Sequence, residues 1–283
     1  VSDASREREV PAVPIRSADD PRIELFRGIR DRDLRGAHGR FLAESERVAR
    51  RLLRSRFEVE SMLLNESALA RLEGEIAARP SPPTVFVVPD GLETEIAGCR
   101  FHGGTLAIGI RPRRPPAAIE WVDAVSAGDG PRRVLMACGV THADNIGSIF
   151  RSAACLGASG VMLDGGCADP LLRSAIRFSM GRVFSVPWTV CDPIEAAWDR
   201  LRSHGFSILA AELAAAAMPI RELPSIARAA VAVGAEGRGL PPPLLAAADM
   251  VVRLPAAVPP GEHEPASLNV AVASAVLLYE LSR

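Results

Sequence analysis

Residues 231–240 read VAVGAEGRGL, a run of valine and alanine that exits into glycines at 234, 237 and 239 and then into three prolines, 241–243. The spacing predicts a strand ending over a ligand. It nearly spells the dinucleotide-binding fingerprint G-x-G-x-x-G, which would put glycines at 234, 236 and 239. Position 236 is instead glutamate. A carboxylate there opposes a pyrophosphate in both sign and bulk, so a nicotinamide-dependent oxidoreductase is disfavoured. The stretch asks for an adenosine-like ligand that accepts an acid beside it.

Around this stretch the chain alternates strand and helix patterns. Upstream lie RVLMACGV, IGSIFRSAACLG, GVMLD, PLLRSAIRFSM, VFSVPW, PIEAAWDRLRSHG and FSILAAEL; downstream lie PPPLLAAAD, MVVRLP and SLNVAVASAVLLYELSR. That order predicts an α/β domain on a mostly parallel sheet. The last segment is apolar on almost every side, with Ser267 as the expected N-cap, so it should be buried by more than one neighbour. The proline- and arginine-rich RPRRPPAA (111–118) reads as a linker. It divides the chain into a tail at 1–20, a smaller α/β unit at 21–116 and the larger domain at 117–283. In the smaller unit ESERVARRLL and SALARLEGEIAARP fit helices, while FEVESMLLN, TVFVVPD and GGTLAIGIR fit strands.

Composition narrows the function. No apolar run approaches the ~18 residues of a membrane span, and VSDASREREV is no secretory signal, so a cytoplasmic protein is expected. The five cysteines and five histidines show no ligand spacing, and no metal is expected. HGG at 102–104 lacks any G-x-S-x-G nucleophile to serve as its partner. Net charge is −1, but every one of the 33 basic residues is arginine. Ten of them fall between Arg27 and Arg56 against four acids, whereas 117–283 holds 13 against 16 acids. Such a run is either a phosphate-binding surface or a solvated helix face laced with i,i+4 pairs.

Two further constellations accompany the opening stretch. HADNIGSIFRSAACLG holds Asn145, which both donates and accepts, and Arg151, whose planar fork suits phosphate; taken alone, they are a helix cap and a surface residue. VVRLP…SLNV brings Leu254 and Pro255 at a strand exit, then Ser267, Leu268 and Asn269 at a helix start.

In this order the three segments, N-x-G-x-x-x-R, G-x-E-G-x-G and L-P…S-L-N-V…L-L-Y-E, resemble the SpoU family of RNA 2′-O-ribose methyltransferases, in the SPOUT superfamily. The resemblance spans about 130–283; GRFLAESERVARRLL is more loosely similar to the family's L30e-like substrate-binding domain. It implies S-adenosylmethionine in a deep trefoil knot, lined by Gly234, Leu254 and Leu268. It implies catalytic positions at Asn145, Arg151, Glu236, Ser267 and Asn269, an RNA substrate (tRNA or rRNA), and a homodimer through the knot region. A positive sulfonium with no pyrophosphate answers the question raised by Glu236. Because a guanidinium is a poor base, Arg151 is read as an electrostatic clamp. His142-Ala143-Asp144 and the acidic, proline-rich loop AAVPPGEHEPA depart from the family pattern and bear on the substrate. A catalytically weak RNA-binding assembly factor of the same fold is the alternative.

Overall fold

The computed structural model describes residues 10–27, 39–98, 104–214, 216–255 and 267–283. Cys99, His102, Gly103, the arginines at 30, 32 and 35, and the loop at 256–266 lie outside the described residues. The chain forms two units. One comprises 1–113 with 171–184, the other 114–170 with 185–283.

The first unit is built on a five-stranded sheet of order β1-β4-β3-β5-β2. Its elements are β1 (Ala12–Pro14), β2 (Arg40–Glu44), α1 (Glu46–Leu53), β3 (Val59–Asn65), α2 (Glu66–Ala77), β4 (Thr84–Val88), α3 (Leu92–Ala97) and β5 (Thr105–Ile110). β1, β4 and β3 run parallel, whereas β5 is antiparallel to both β3 and β2. Two elements differ from the sequence reading. The tail expected at 1–20 contains β1, which pairs with β4 while Ile15 is buried under Phe86 and Phe26. A strand forms at Arg40–Glu44, where only the following helix is evident from periodicity. Both strands are short, and each is held by its neighbour in the sheet rather than by its own pattern.

Residues 171–184 also pack in this unit, although the boundary at 116/117 assigns them to the second. The Phe184 ring lies 5.4 Å from Phe41 and 5.6 Å from Phe57. Arg51 donates to the Met180 carbonyl, and Arg173 pairs with Glu44. Aromatic burial between segments some 130 residues apart is invisible to any local boundary signal.

The second unit carries a seven-stranded sheet of order β10-β12-β9-β11-β6-β7-β8 in which every described pair is parallel. The strands are β6 (Arg132–Cys138), β7 (Gly160–Leu163), β8 (Trp188–Val190), β9 (Ser207–Ala211), β10 (Met218–Pro219), β11 (Arg228–Gly234) and β12 (Met250–Arg253). The helices labelled here are α4 (Ala118–Ser126), α5 (Ala143–Cys155), α6 (Trp198–Ser203), α7 (Pro242–Ala247) and α8 (Val270–Glu280). Both faces of the sheet are covered, which is why β11 reads as continuous small apolar residues without alternation. Trp121 and Trp198 fill the core on the α4–α6 side, and α8 packs on α5.

The chain runs outward from β6 through β7 to β8, then returns to build β9, β11 and β12 on the other side of β6. Strand order therefore reverses between β6 and β11, whose ends meet in register at Gly234 and Cys138. In open parallel sheets, ligands bind outside the carboxyl ends of the strands at such a reversal.

Candidate active site

Three of the residues singled out in sequence converge at that reversal. Asn145 stands on the first turn of α5 after β6, Glu236 in the turn after β11, and Asn269 at the N-cap of α8. The Asn269 side-chain oxygen accepts from the backbone N–H of Ala271 at 3.0 Å and of Val272 at 3.3 Å. That use of Oδ1 sets the amide orientation, so Nδ2 points to acceptors. It donates to Glu236 Oε1 at 2.6 Å and to Asn145 Oδ1 at 3.0 Å. Asn145 Nδ2 in turn donates to Glu236 Oε1 at 3.2 Å, and Val270 N–H donates to the same oxygen at 3.2 Å. One carboxylate oxygen thus collects three donors at a helix N-terminus, where partial positive charge favours an anion.

The cap reassigns one residue. In sequence Ser267 reads as the cap of the last helix, but the helix begins at Val270 and Asn269 caps it. Ser267 is exposed and lines the adjoining cavity. Arg151 stands apart from the three. At 100° per residue, six residues turn it about 120° round α5 from Asn145, and among the described residues it makes no hydrogen bond to Asn145, Glu236 or Asn269. It is solvent-exposed.

Beside Glu236 lies a cavity of about 590 Å³, within the ~300–1,000 Å³ of small-ligand clefts. Gly234, Leu254 and Leu268, the expected cofactor contacts, all line it, as do Val233, Val252 and Leu277. The glycines also shape the turn itself. A Cβ at Gly234 would strike the backbone of Gly239 and Leu240, so the turn folds back onto its own strand exit. Gly237 and Gly239 take φ of +80° and +64°, which glycine adopts without strain.

Sequence reading missed Glu212, which follows β9 directly and also lines the cavity. A signal was present: like Glu236, it is an acid at the end of an apolar run, FSILAAEL. That β9 lies next to β11 is a fact of the sheet order alone. Burial, and then the charge of Asp164, push Cys167 up to about 12, and burial likewise raises Cys138. Among the described residues no group of three His, Cys, Asp or Glu side chains is placed to hold a metal ion, and no helix is long and apolar enough to cross a membrane.

The pattern of the SpoU rRNA Methylase family matches residues 132–279, more than half of the chain. The chain belongs to this family. It is 33% identical to an uncharacterized tRNA/rRNA methyltransferase of Mycobacterium tuberculosis over 272 residues, which are 94% of this chain and 90% of that protein. The crystal structure of an RNA 2′-O ribose methyltransferase is 30% identical, with a TM-score of 0.71 over 95% of this chain and 98% of the other. The AdoMet-bound rRNA methyltransferase of Sinorhizobium meliloti shares the fold at 22% identity, with a TM-score of 0.77 and coverage of 95% and 97%. S-adenosylmethionine is the cofactor of this SpoU-family protein. The cavity suits it: apolar walls for an adenine, two acids compatible with a positive sulfonium and, among the described residues, no cluster of donors arranged for a pyrophosphate.

Proposed function

We propose that this SpoU-family protein transfers a methyl group to a ribose 2′-hydroxyl of rRNA or tRNA. The observation that carries the reading is the hydrogen-bonded set Asn145–Glu236–Asn269 at the mouth of a nucleoside-sized cavity at the sheet's point of reversal. Gly234, Leu254 and Leu268 would hold the cofactor, and Ser267 lies at the same wall. When bound, S-adenosylmethionine supplies an electrophilic methyl on a sulfonium.

Asn145, Glu236 and Asn269 form a preorganised rim whose groups cannot turn away without losing a partner, so an incoming ribose meets fixed donors and acceptors. Most of the barrier then falls through alignment of two reactants at near-contact distance. Arg151, outside the set and exposed, is the cation that closes on a phosphate or on the forming alkoxide. Its offset on α5 makes it a clamp recruited by RNA rather than a member of the resting hydrogen-bond set.

Three further parts belong to the proposal. The chain forms a homodimer through α8, whose Val272 and Tyr279 are 49% and 57% exposed in one chain although the helix is almost wholly apolar. The connection from β12 to α8 threads as a trefoil knot. The first unit is an L30e-like guide for RNA. Single-turnover methylation of unmodified rRNA and tRNA, with mapping of 2′-O-methyl positions, tests the reading. Appearance of a methylated ribose that depends on Glu236 supports it, and methylation of a base instead overturns it.

A further inference from the structure

Glu212 takes up a position that the catalytic rim does not use. Its backbone N–H donates to the Val252 carbonyl at 2.9 Å, which anchors the residue between the ends of β11 and β12. Its carboxylate turns to the β11 side. Oε2 accepts from Leu240 N–H at 2.9 Å and Oε1 from Leu213 N–H at 3.0 Å. Gly239, at φ +64°, lies against this carboxylate, and a Cβ there would collide with it. The turn after β11 is therefore built around an acid at 212. A carboxylate has about four acceptor sites, so about two remain beyond the two backbone donors.

Resting on the cofactor assignment above, we propose that Glu212 accepts the vicinal 2′- and 3′-hydroxyls of the cofactor's ribose. A carboxylate at a parallel-strand exit with acceptor capacity left over is the arrangement that holds ribose hydroxyls in nucleotide-binding sheets. The methionine end is a poorer match. Its ammonium and carboxylate leave the same carbon and need an acid and a base side by side. The basic wall residue Arg253 instead turns to the far side of β12, where its Nε donates to the Ala217 carbonyl at 3.0 Å. Acid and base diverge, and the hydroxyl pair is what the acid alone can serve. Glu212 is thus a cofactor-positioning residue, distinct from Glu236 at the rim.

Calorimetry tests this with S-adenosylhomocysteine, its 2′,3′-dideoxy analogue and its deaminated analogue, each against the wild-type protein and Glu212→Gln. Wild type should lose about ten- to a hundredfold in affinity when the diol is removed, the range for hydrogen bonds to a charged group. Glu212→Gln should bind S-adenosylhomocysteine more weakly by a similar factor and no longer distinguish the dideoxy analogue. Full diol discrimination in Glu212→Gln would overturn the proposal, leaving Glu212 as a tie between strand exits. So would a loss of discrimination confined to the deaminated analogue. Should the variant not fold, the ¹³C shift of the Glu212 carboxyl in wild type decides: it should move with S-adenosylhomocysteine and stay put with the dideoxy analogue, and equal movement overturns the assignment. Wild type that binds none of the three would instead count against the cofactor reading itself.

Discussion

In the mixed sheet of the first unit, all but one of the described arginines of the 27–56 run are answered from within the protein. Arg40 pairs with Glu60, Arg50 with Glu46 and Glu75, and Arg54 with Glu75. Arg27 and Arg51 donate to carbonyls, and Arg56 lies over the Phe57 ring. Arg47 alone among them has no such partner. At the carboxyl ends of the parallel sheet the polar residues gather beside a cavity. Asn145, Glu236 and Asn269 bond to one another across three separate strand exits and leave a cavity beside them. A charged run in the sequence is therefore weak evidence for a ligand until its internal partners are known. A few polar residues at a strand reversal are stronger evidence, because nothing in the sheet itself requires them there.

The largest effect should come from cutting the chain at the boundary read from sequence. A chain of 117–283 keeps residues 171–184 but removes Phe41 and Phe57 from the Phe184 ring, and Glu44 from Arg173. It should bind a hydrophobic dye and fail to melt cooperatively, whereas Phe41→Ala in the whole chain should cost about 3–5 kcal/mol. A well-folded truncated chain would show that residues 171–184 do not need their partners at 41, 44 and 57.

Next come the rim residues. Glu236→Ala strips the acceptor from Asn145, Asn269 and Val270 N–H, and Arg151→Ala removes the proposed clamp. Each should slow single-turnover methylation by about 10²–10³. Arg151→Lys should rescue poorly, because a point charge lacks the planar fork. Recovery with a new apparent pKa near that of lysine would make the residue a base instead.

The turn glycines should give smaller losses, felt in stability before binding. Gly239→Ala must hold a positive φ and displace Glu212, for about 1–3 kcal/mol by thermal denaturation. Gly234→Val should destabilise as well, since the added carbons meet the Gly239–Leu240 backbone. Lost cofactor affinity with an unchanged melting temperature would mean that close approach of the ligand, and not the turn, sets the need for glycine at 234.

Smaller again is the contrast between two neighbouring arginines on α1. Arg47→Ala should lower the salt slope of RNA binding by about 1 without affecting stability. Arg50→Ala should cost up to about 1 kcal/mol of stability and leave that slope unchanged. Equal slopes for both variants would remove α1 from the RNA contact.

The smallest effect is expected at Asp123, held at about 2 by Arg200 and then His204. A depressed carboxylate pKa gives stability that is present above the ordinary value of 3.8 and is lost as pH falls toward 2. Asp123→Asn should therefore narrow the gap between melting temperatures at pH 5 and pH 2.5. An unchanged gap would mark the pair as inert.

The amino-acid sequence by itself determined the alternating α/β order, the strand exits at Gly234 and Leu254, and the three motifs that identify the family. These signals are local: periodicity, glycine and proline punctuation, and residue types at short fixed spacing. Tertiary structure decided the rest. Asn145 and Glu236 are 91 residues apart and Asn145 and Asn269 are 124 apart, and they meet only because β11 inserts beside β6. The same insertion sets β9 next to β11 and puts Glu212 on the cavity wall. The cap passed from Ser267 to Asn269 because Asn269 can accept two helix N–H groups while donating to Glu236. Residues 171–184 joined the other unit because burying Phe184 against Phe41 and Phe57 outweighs chain proximity. In each case the deciding energy is a contact between distant segments, which no window of sequence contains.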